Sequence, residues 1–203
     1  MADTYPNFAA LARHERVGID YGIALRMSLD AFALVAPHGG GIEPGTSEIA
    51  VAIAADDWSS YSFEGLKRSG NGVLHITSTR FDEPLCAAVI SRTNVVITIH
   101  GEHSTADGEG VFVGGRDGPL GAAIDRELTR KGFDVRTHPD EKLQGRAQAN
   151  LCNRGASGAG VQLELSRAVR KSMFESLTKT GRQHPTPRFG DFVAALRKVL
   201  HES

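Results

Sequence analysis

His38 and Glu43 stand five positions apart in the stretch APHGGGIEPGTSEIA, separated in part by three consecutive glycines. Imidazole and carboxylate are the side chains of hydrolytic zinc sites, where protein groups fill three positions and water the fourth. The glycines let the backbone turn back, so that both side chains can reach one ion. His38 follows the apolar run FALVAP, and a second histidine, His100, closes the alternating run NVVITIHG. In an open α/β sheet the ligand crevice lies outside the carboxyl ends of the strands, so the two histidines are expected to share it. His38, Glu43 and His100 therefore form a candidate zinc set. The plainer alternative is a hydrogen-bonded loop histidine, with Glu43 capping the helix that follows. His103 is the residue that could replace His100. His75, His138 and His184 are expected to carry no function.

The strand VQLELS adds a candidate general base. Val161, Leu163 and Leu165 make one apolar face, which turns Gln162, Glu164 and Ser166 the other way. A glutamate in the middle of a sheet must be paired, protonated or facing a cavity. Glu164 facing the zinc crevice would take the proton of an attacking water; an edge strand with a solvated face is the alternative. Upstream, NLCNRG offers Asn153 and Arg154, and a guanidinium fork suits a substrate carboxylate. Arg80 and Arg116, in other loops, are further candidates for that contact.

Other motifs fail at an essential residue. GGIEPGTS has phosphate-loop spacing from Gly40 to Gly45, yet Thr46 stands where lysine is required. HGGG resembles an esterase oxyanion loop, but GASGA around Ser157 breaks the G-x-S-x-G turn at Ala159. HERVG at His14 lacks the second histidine of the helical metalloprotease signature.

The elements that must position these residues alternate in type. FALVAP reads as a buried strand, TSEIAVAIAAD as a helix capped by Thr46 or Ser47, and SSYSFEGL and VLHITS as strands. PLCAAVIS reads as a short helix with Pro84 in its first turn. NVVITIHG and GVFVGG are strands. The helix after them has Asp117 or Gly118 as cap, Leu120, Ile124 and Leu128 on one stripe and Gly132 as its stop. VQLELS and an amphipathic helix marked by Phe189, Val193, Leu196 and Leu200 complete the chain. This order predicts a three-layer α/β domain over residues 1–203 with a mixed, mostly parallel sheet.

Composition narrows the class. A 203-residue chain with 40% hydrophobic residues, 23% charged residues and a net charge of -1 is an ordinary globule, which argues against a nucleic-acid partner. Cys86 and Cys152 are too few for a disulfide framework and read as buried thiols. No run approaches the ~18 apolar residues of a membrane span, and the N-terminus lacks a signal-peptide core. A reducing, cytoplasmic setting and a monomer or small homo-oligomer are expected.

With APHGGGIEPGTSEIA, ITIHG, FVGGRD, NLCNRG and GVQLELS in this order, the sequence resembles the poly-γ-glutamate hydrolase family of phage and bacterial zinc peptidases. Some members carry the label phage-related replication protein. The likeness runs from about YPNFAAL to the final helix. It implies a fold related to zinc carboxypeptidases, one zinc ion, and cleavage of the γ-glutamyl amide bonds of a polymeric substrate. It maps the zinc ligands onto His38, Glu43 and His100, the catalytic glutamate onto Glu164, and a carboxylate-holding pair onto Asn153 and Arg154. The His-to-Glu spacing is longer than in carboxypeptidases, and the Asn-Arg pair follows the second histidine instead of preceding it. Two rivals to this expectation are hydrolysis of a smaller acylated or γ-glutamylated metabolite and a non-catalytic zinc- or ligand-binding domain.

Overall fold

The computed structural model describes residues 3–28, 31–102, 108 and 110–203. In chain order its elements are α1 (Phe8–Leu11), β1 (Tyr21–Arg26), β2 (Phe32–Gly40), α2 (Thr46–Ala54), β3 (Ser59–Gly65), α3 (Pro84–Ile90) and β4 (Val95–Gly101). There follow β5 (Val111–Gly115), α4 (Gly118–Arg130), β6 (Val135–Arg136), β7 (Val161–Leu165), α5 (Arg167–Ser172) and α6 (Pro187–His201). The strands form one seven-stranded sheet in the order β1-β3-β2-β4-β7-β5-β6. β3, β2, β4 and β7 run parallel to one another; β1 and β5 join antiparallel, and β6 pairs parallel to β5. This is the mixed, mostly parallel sheet that the alternation of elements predicts.

Two apolar layers enclose the sheet. Val95, Ile97 and Ile99 of β4 and Val161, Leu163 and Leu165 of β7 pack with Ile49 and Ile53 of α2, Ile124 and Leu128 of α4, and Phe192 and Leu196 of α6. Full burial of such side chains contributes roughly 1.5–3 kcal/mol each. On the opposite face Val96, Ala33 and Val35 pack with Leu74, Ile76, Phe81 and, from α3, Cys86 and Val89. α4 begins as its sequence predicts, with the Asp117 side chain accepting from the Leu120 N–H and Pro119 in the first turn. No described helix is long and apolar enough to cross a membrane.

Three local expectations change. β2 does not stop before His38 but continues through it to Gly40. α2 has no side-chain cap: its N-cap is Gly45 at φ 102, and the hydroxyls expected there serve the glycine loop instead. Thr46 Oγ1 donates to the Glu43 carbonyl and Ser47 Oγ accepts from the Gly40 N–H. The run VLHITS is not a strand. Residues Asn71–Leu74 form a 3-10 turn, and the chain then lies across the sheet face with Leu74 and Ile76 buried. Its alternation reflects that one-sided burial, and side chains satisfy several of its backbone polar groups in place of a neighbouring strand.

A bulge in β2 decides which way His38 points. Phe32, Leu34 and Ala36 face the helical core, whereas Ala33 and Val35 face the other layer. Strict alternation would turn His38 into the helical core. However, Ala36 opposes Ser62 and Gly39 opposes Glu64, so β2 advances three residues where β3 advances two. The extra residue, at Pro37–His38, returns the imidazole to the face where the His100 ring lies 5.0 Å away.

Candidate active site

Three side chains meet where β2 and β4 end. His38 Nδ1 lies 3.0 Å from Glu43 Oε1 and 3.2 Å from His100 Nδ1, and Glu43 Oε2 lies 3.8 Å from His100 Nδ1. All three residues are buried. The turn that brings Glu43 back is closed by its own N–H donating to the His38 carbonyl at 2.8 Å. Gly40, at φ 61, supplies the left-handed backbone this requires. Gly39 has no room for a side chain, since a Cβ there would collide with Ser47 Oγ. The sequence expectation that the glycines return Glu43 to His38 matches this geometry.

The donor set fits a divalent cation. Bonds near 2.1 Å to one tetrahedral ion place its ligands about 3.4 Å apart, and the three separations bracket that value. The outer hydrogen bonds point the same way. His38 Nε2 lies 2.9 Å from the Ile76 carbonyl, an acceptor, so the ring proton belongs there and neutral Nδ1 presents a lone pair. That lone pair faces a carboxylate oxygen and a second imidazole nitrogen. Only a proton or a metal ion reconciles the three. His100 Nε2 is held in turn by Ser78 Oγ at 3.2 Å, and Glu43 Oε2 accepts from the Gly101 N–H at 2.8 Å.

The ionisation of the metal-free site follows from the same contacts. Burial alone would lower the His38 pKa, yet the Glu43 carboxylate raises it above the ordinary imidazole value. Burial works to raise Glu43, and the His38 charge overrides it, holding the carboxyl at about 2. His100 is pushed down to about 3 by burial, against the pull of Glu43. Glu164 is raised well above the usual carboxylate range by burial and by the Glu43 and Glu102 carboxylates.

Glu164 reaches the same cavity through the sheet. β4 and β7 pair in parallel with His100 opposite Glu164 and Thr98 opposite Gln162, so one ladder fixes the histidine and the glutamate side by side. Gln162 Nε2 donates to Glu164 Oε1 at 3.0 Å and to the Leu143 carbonyl at 2.8 Å, while Gln162 Oε1 accepts from Asn150 Nδ2 at 2.9 Å. The cavity, about 250 Å³, is lined by His38, Glu43, His100 and Glu164 together with His75, Ser78, Glu102, Lys142, Asn150 and Gln162, among others.

His75 was expected to have no function, yet it lines this cavity, its ring 4.0 Å from that of His38. Ligand atoms of His38, Glu43 and His75 also fall within 4.8 Å of one another. The ring geometry nevertheless favours His100 as the third candidate ligand. An imidazole ligates in its ring plane, and His75 stacks over His38 with the planes only 31° apart, so the two lone pairs do not converge. His75 Nδ1 is engaged by Asp3 Oδ1 at 2.8 Å, which leaves Nε2 as its free nitrogen. His103 lies outside the described residues.

The arginines expected to hold a substrate carboxylate are engaged elsewhere. Arg154 donates to the carbonyls of Ala149, Phe81 and Ser78 at 2.8, 2.6 and 3.0 Å and does not line the cavity. Asn153 donates to the Gly145 and Ala147 carbonyls and accepts from the Gly160 N–H, so it organises the loop before β7. Arg80 pairs with Asp3 at 2.6 Å. Arg116 is exposed, away from the cavity. Cys86 and Cys152 are buried free thiols, and burial raises the pKa of both.

These arginines and Asp3 brace the site from behind. The loop 75–81 supplies both outer contacts of the histidines, Ile76 O and Ser78 Oγ. On one flank Asp3 accepts from Thr77 N at 2.9 Å, Thr77 Oγ1 at 3.1 Å and Arg80 Nη2, besides pairing with His75. On the other flank Arg154 grips the Ser78 and Phe81 carbonyls. Arg170 braces the floor. It is fully buried and donates to the carbonyls of Leu165, Pro44 and Glu102, each next to or one residue beyond a segment bearing Glu164, Glu43 or His100. Gly101 makes room for it, since a Cβ there would stand 2.6 Å from Arg170 Cζ. Of the supporting residues, Gln162 carried a sequence signal by sharing the polar face of β7 with Glu164, and Arg154 and Arg80 carried one for a different role; Asp3, Ser78 and Arg170 carried none.

Comparison with known proteins places the chain among relatives. The family described as poly-gamma-glutamate hydrolase matches residues 5–195. The SPbeta prophage-derived UPF0714 protein YoqZ of Bacillus subtilis (strain 168) is 39% identical over 205 residues, covering 100% of this chain and 73% of its own. A solved bacteriophage poly-gamma-glutamate hydrolase superposes with a TM-score of 0.95 at 35% identity, over 99% of this chain and 98% of its own. A zinc-free structure of YndL gives a TM-score of 0.91 at 35% identity, over 98% of each chain.

Proposed function

The chain belongs to the poly-gamma-glutamate hydrolase family, and from that premise we propose that it hydrolyses the γ-glutamyl amide bonds of poly-γ-glutamate, with one zinc ion held by His38, Glu43 and His100 and with Glu164 as general base. The observation that carries the reading is the convergence of two imidazole nitrogens and a carboxylate within 3.0–3.8 Å, beside a fourth buried side chain set by the β4–β7 register. Zinc, when bound, supplies Lewis acidity, which polarises an amide carbonyl and makes water more acidic.

The chain's own groups do the rest. Gln162 holds Glu164 Oε1, so the proton of the attacking water is taken at Oε2. As the water oxygen bonds to the amide carbon, Glu164 keeps that proton. It delivers it to the nitrogen as the carbon–nitrogen bond breaks, which leaves a carboxylate and a free amine. The outer contacts from Ile76 and Ser78 keep both histidine rings in the orientation that ligation needs.

The test is to incubate the purified protein with poly-γ-glutamate and follow chain length with and without a chelator. Shortening that the chelator abolishes is the expected result. An unchanged polymer in the presence of added zinc would sink the reading, and cleavage confined to short γ-glutamyl compounds would narrow it to small metabolites.

A further inference from the structure

We propose that Lys142 is the residue that recognises the substrate's charge, its ammonium binding the α-carboxylate of the glutamyl unit at the scissile amide; this rests on the hydrolytic reading above. Every unit of a γ-linked chain keeps a free α-carboxylate. The carbon that bears it is bonded directly to the amide nitrogen of the next link, so a carboxylate always lies beside the bond to be broken. Glu43, Glu102 and Glu164 line the cavity, and the charge of a zinc ion bound at Glu43 would be spent on the amide carbonyl and the attacking water. The α-carboxylate beside the scissile bond therefore needs a positive partner of its own.

The arginines of this region do not supply that charge at the cavity. Arg80 pairs with Asp3, and the guanidinium groups of Arg154 and Arg170 donate to backbone carbonyls behind the site. Among the described residues lining the cavity, Lys142 alone carries a permanent positive charge, and it is exposed, so its head is open to an incoming ligand. Its backbone is nevertheless fixed. The Lys142 N–H donates to Asp140 Oδ1 at 2.9 Å, and the next carbonyl, Leu143 O, accepts from Gln162 Nε2, the same group that holds Glu164 Oε1. One glutamine thus ties the position of Lys142 to the position of the general base. An ammonium on a four-carbon stem is a mobile point charge, suited to meeting successive carboxylates as a polymer passes.

Steady-state kinetics of the zinc-loaded protein on a γ-glutamyl oligomer tests this. Lys142→Ala should raise KM about tenfold with kcat much less changed, because the contact is made in ground and transition states alike. Lys142→Glu should raise KM further, Lys142→Arg should recover most of the loss, and zinc content should be unchanged in all three. On the same oligomer with its α-carboxylates methyl-esterified, the wild type and Lys142→Ala should have equal KM. An unchanged KM for Lys142→Ala on the free acid, or a loss confined to kcat, would overturn the assignment while the active wild type still upheld the hydrolytic reading. An inactive wild type would overturn both.

Discussion

His38 Nδ1 and His100 Nδ1 stand 3.2 Å apart, brought together from positions 62 residues distant in the chain. At this distance the two nitrogens need either a proton shared between them or an ion bound by both, and the proposed zinc would be that ion. His38→Ala, Glu43→Ala and His100→Ala should each lose zinc or bind it greatly weakened, whereas His75→Ala should keep one ion per chain. Metal analysis of the four purified variants decides it; zinc lost from His75→Ala and kept by His100→Ala would exchange the third ligand.

Glu164→Gln should leave zinc content and thermal stability near the wild-type values and reduce kcat roughly 10²- to 10⁴-fold. The amide fills almost the same volume and can still meet Gln162, but it cannot take up a proton. Near-normal turnover with zinc in place would remove Glu164 from its role.

Asp3→Ala and Arg154→Ala should each weaken zinc binding, by less than the roughly 10- to 100-fold cost of losing a direct outer partner of a metal ligand. Neither residue touches the cation site. Both hold the loop that carries Ile76 O and Ser78 Oγ onto the two histidines. Competition against a chelator of known affinity measures the effect, and unchanged affinity in both variants would mean that the loop keeps its shape without them.

Zinc affinity should fall with pH in a definite window. The Glu43 carboxylate raises the pKa of metal-free His38 above its ordinary 6.5, so its proton must be displaced when the ion enters. Affinity should be constant above that raised pKa and decline about tenfold for each pH unit below it, with one proton released per ion. His100, held at about 3, is already neutral there and adds nothing to the slope. Calorimetry in buffers of different ionisation enthalpy counts the protons; a pH-independent affinity through that window would contradict the assignment.

The residues that meet in the cavity, His38, Glu43, His100 and Glu164, are legible as candidates because their signals are local. His100 and Glu164 sit on strands whose apolar partners alternate with them, and Glu43 follows glycines that bend the chain. The helix over Gly118–Arg130 was equally plain from its cap, stripe and stop. What the sequence hid depends on contacts between distant segments. Alternation alone points His38 into the wrong layer, and the correction lies in a bulge at which Pro37 was the sole hint, since proline inside a strand is found at edges and bulges. Residues 73–78 alternate like a strand yet lie across the sheet. Arg154 has the right chemistry for a carboxylate, but whether a guanidinium meets substrate or backbone depends on which carbonyls fold within its reach. Asp3, His75 and Arg170 carry no pattern at all.

Arg170 bears on how far the fold would depend on the proposed ion. In small zinc modules the ion is the nucleus, and the chain has no structure until it arrives. Here a guanidinium belonging to the chain joins the ends of three separate segments through Leu165, Pro44 and Glu102, within a sheet closed by two apolar layers. On the zinc reading, removing and restoring the ion would then be an exchange at a site already held together, and a chelator should leave the thermal transition of the fold in place.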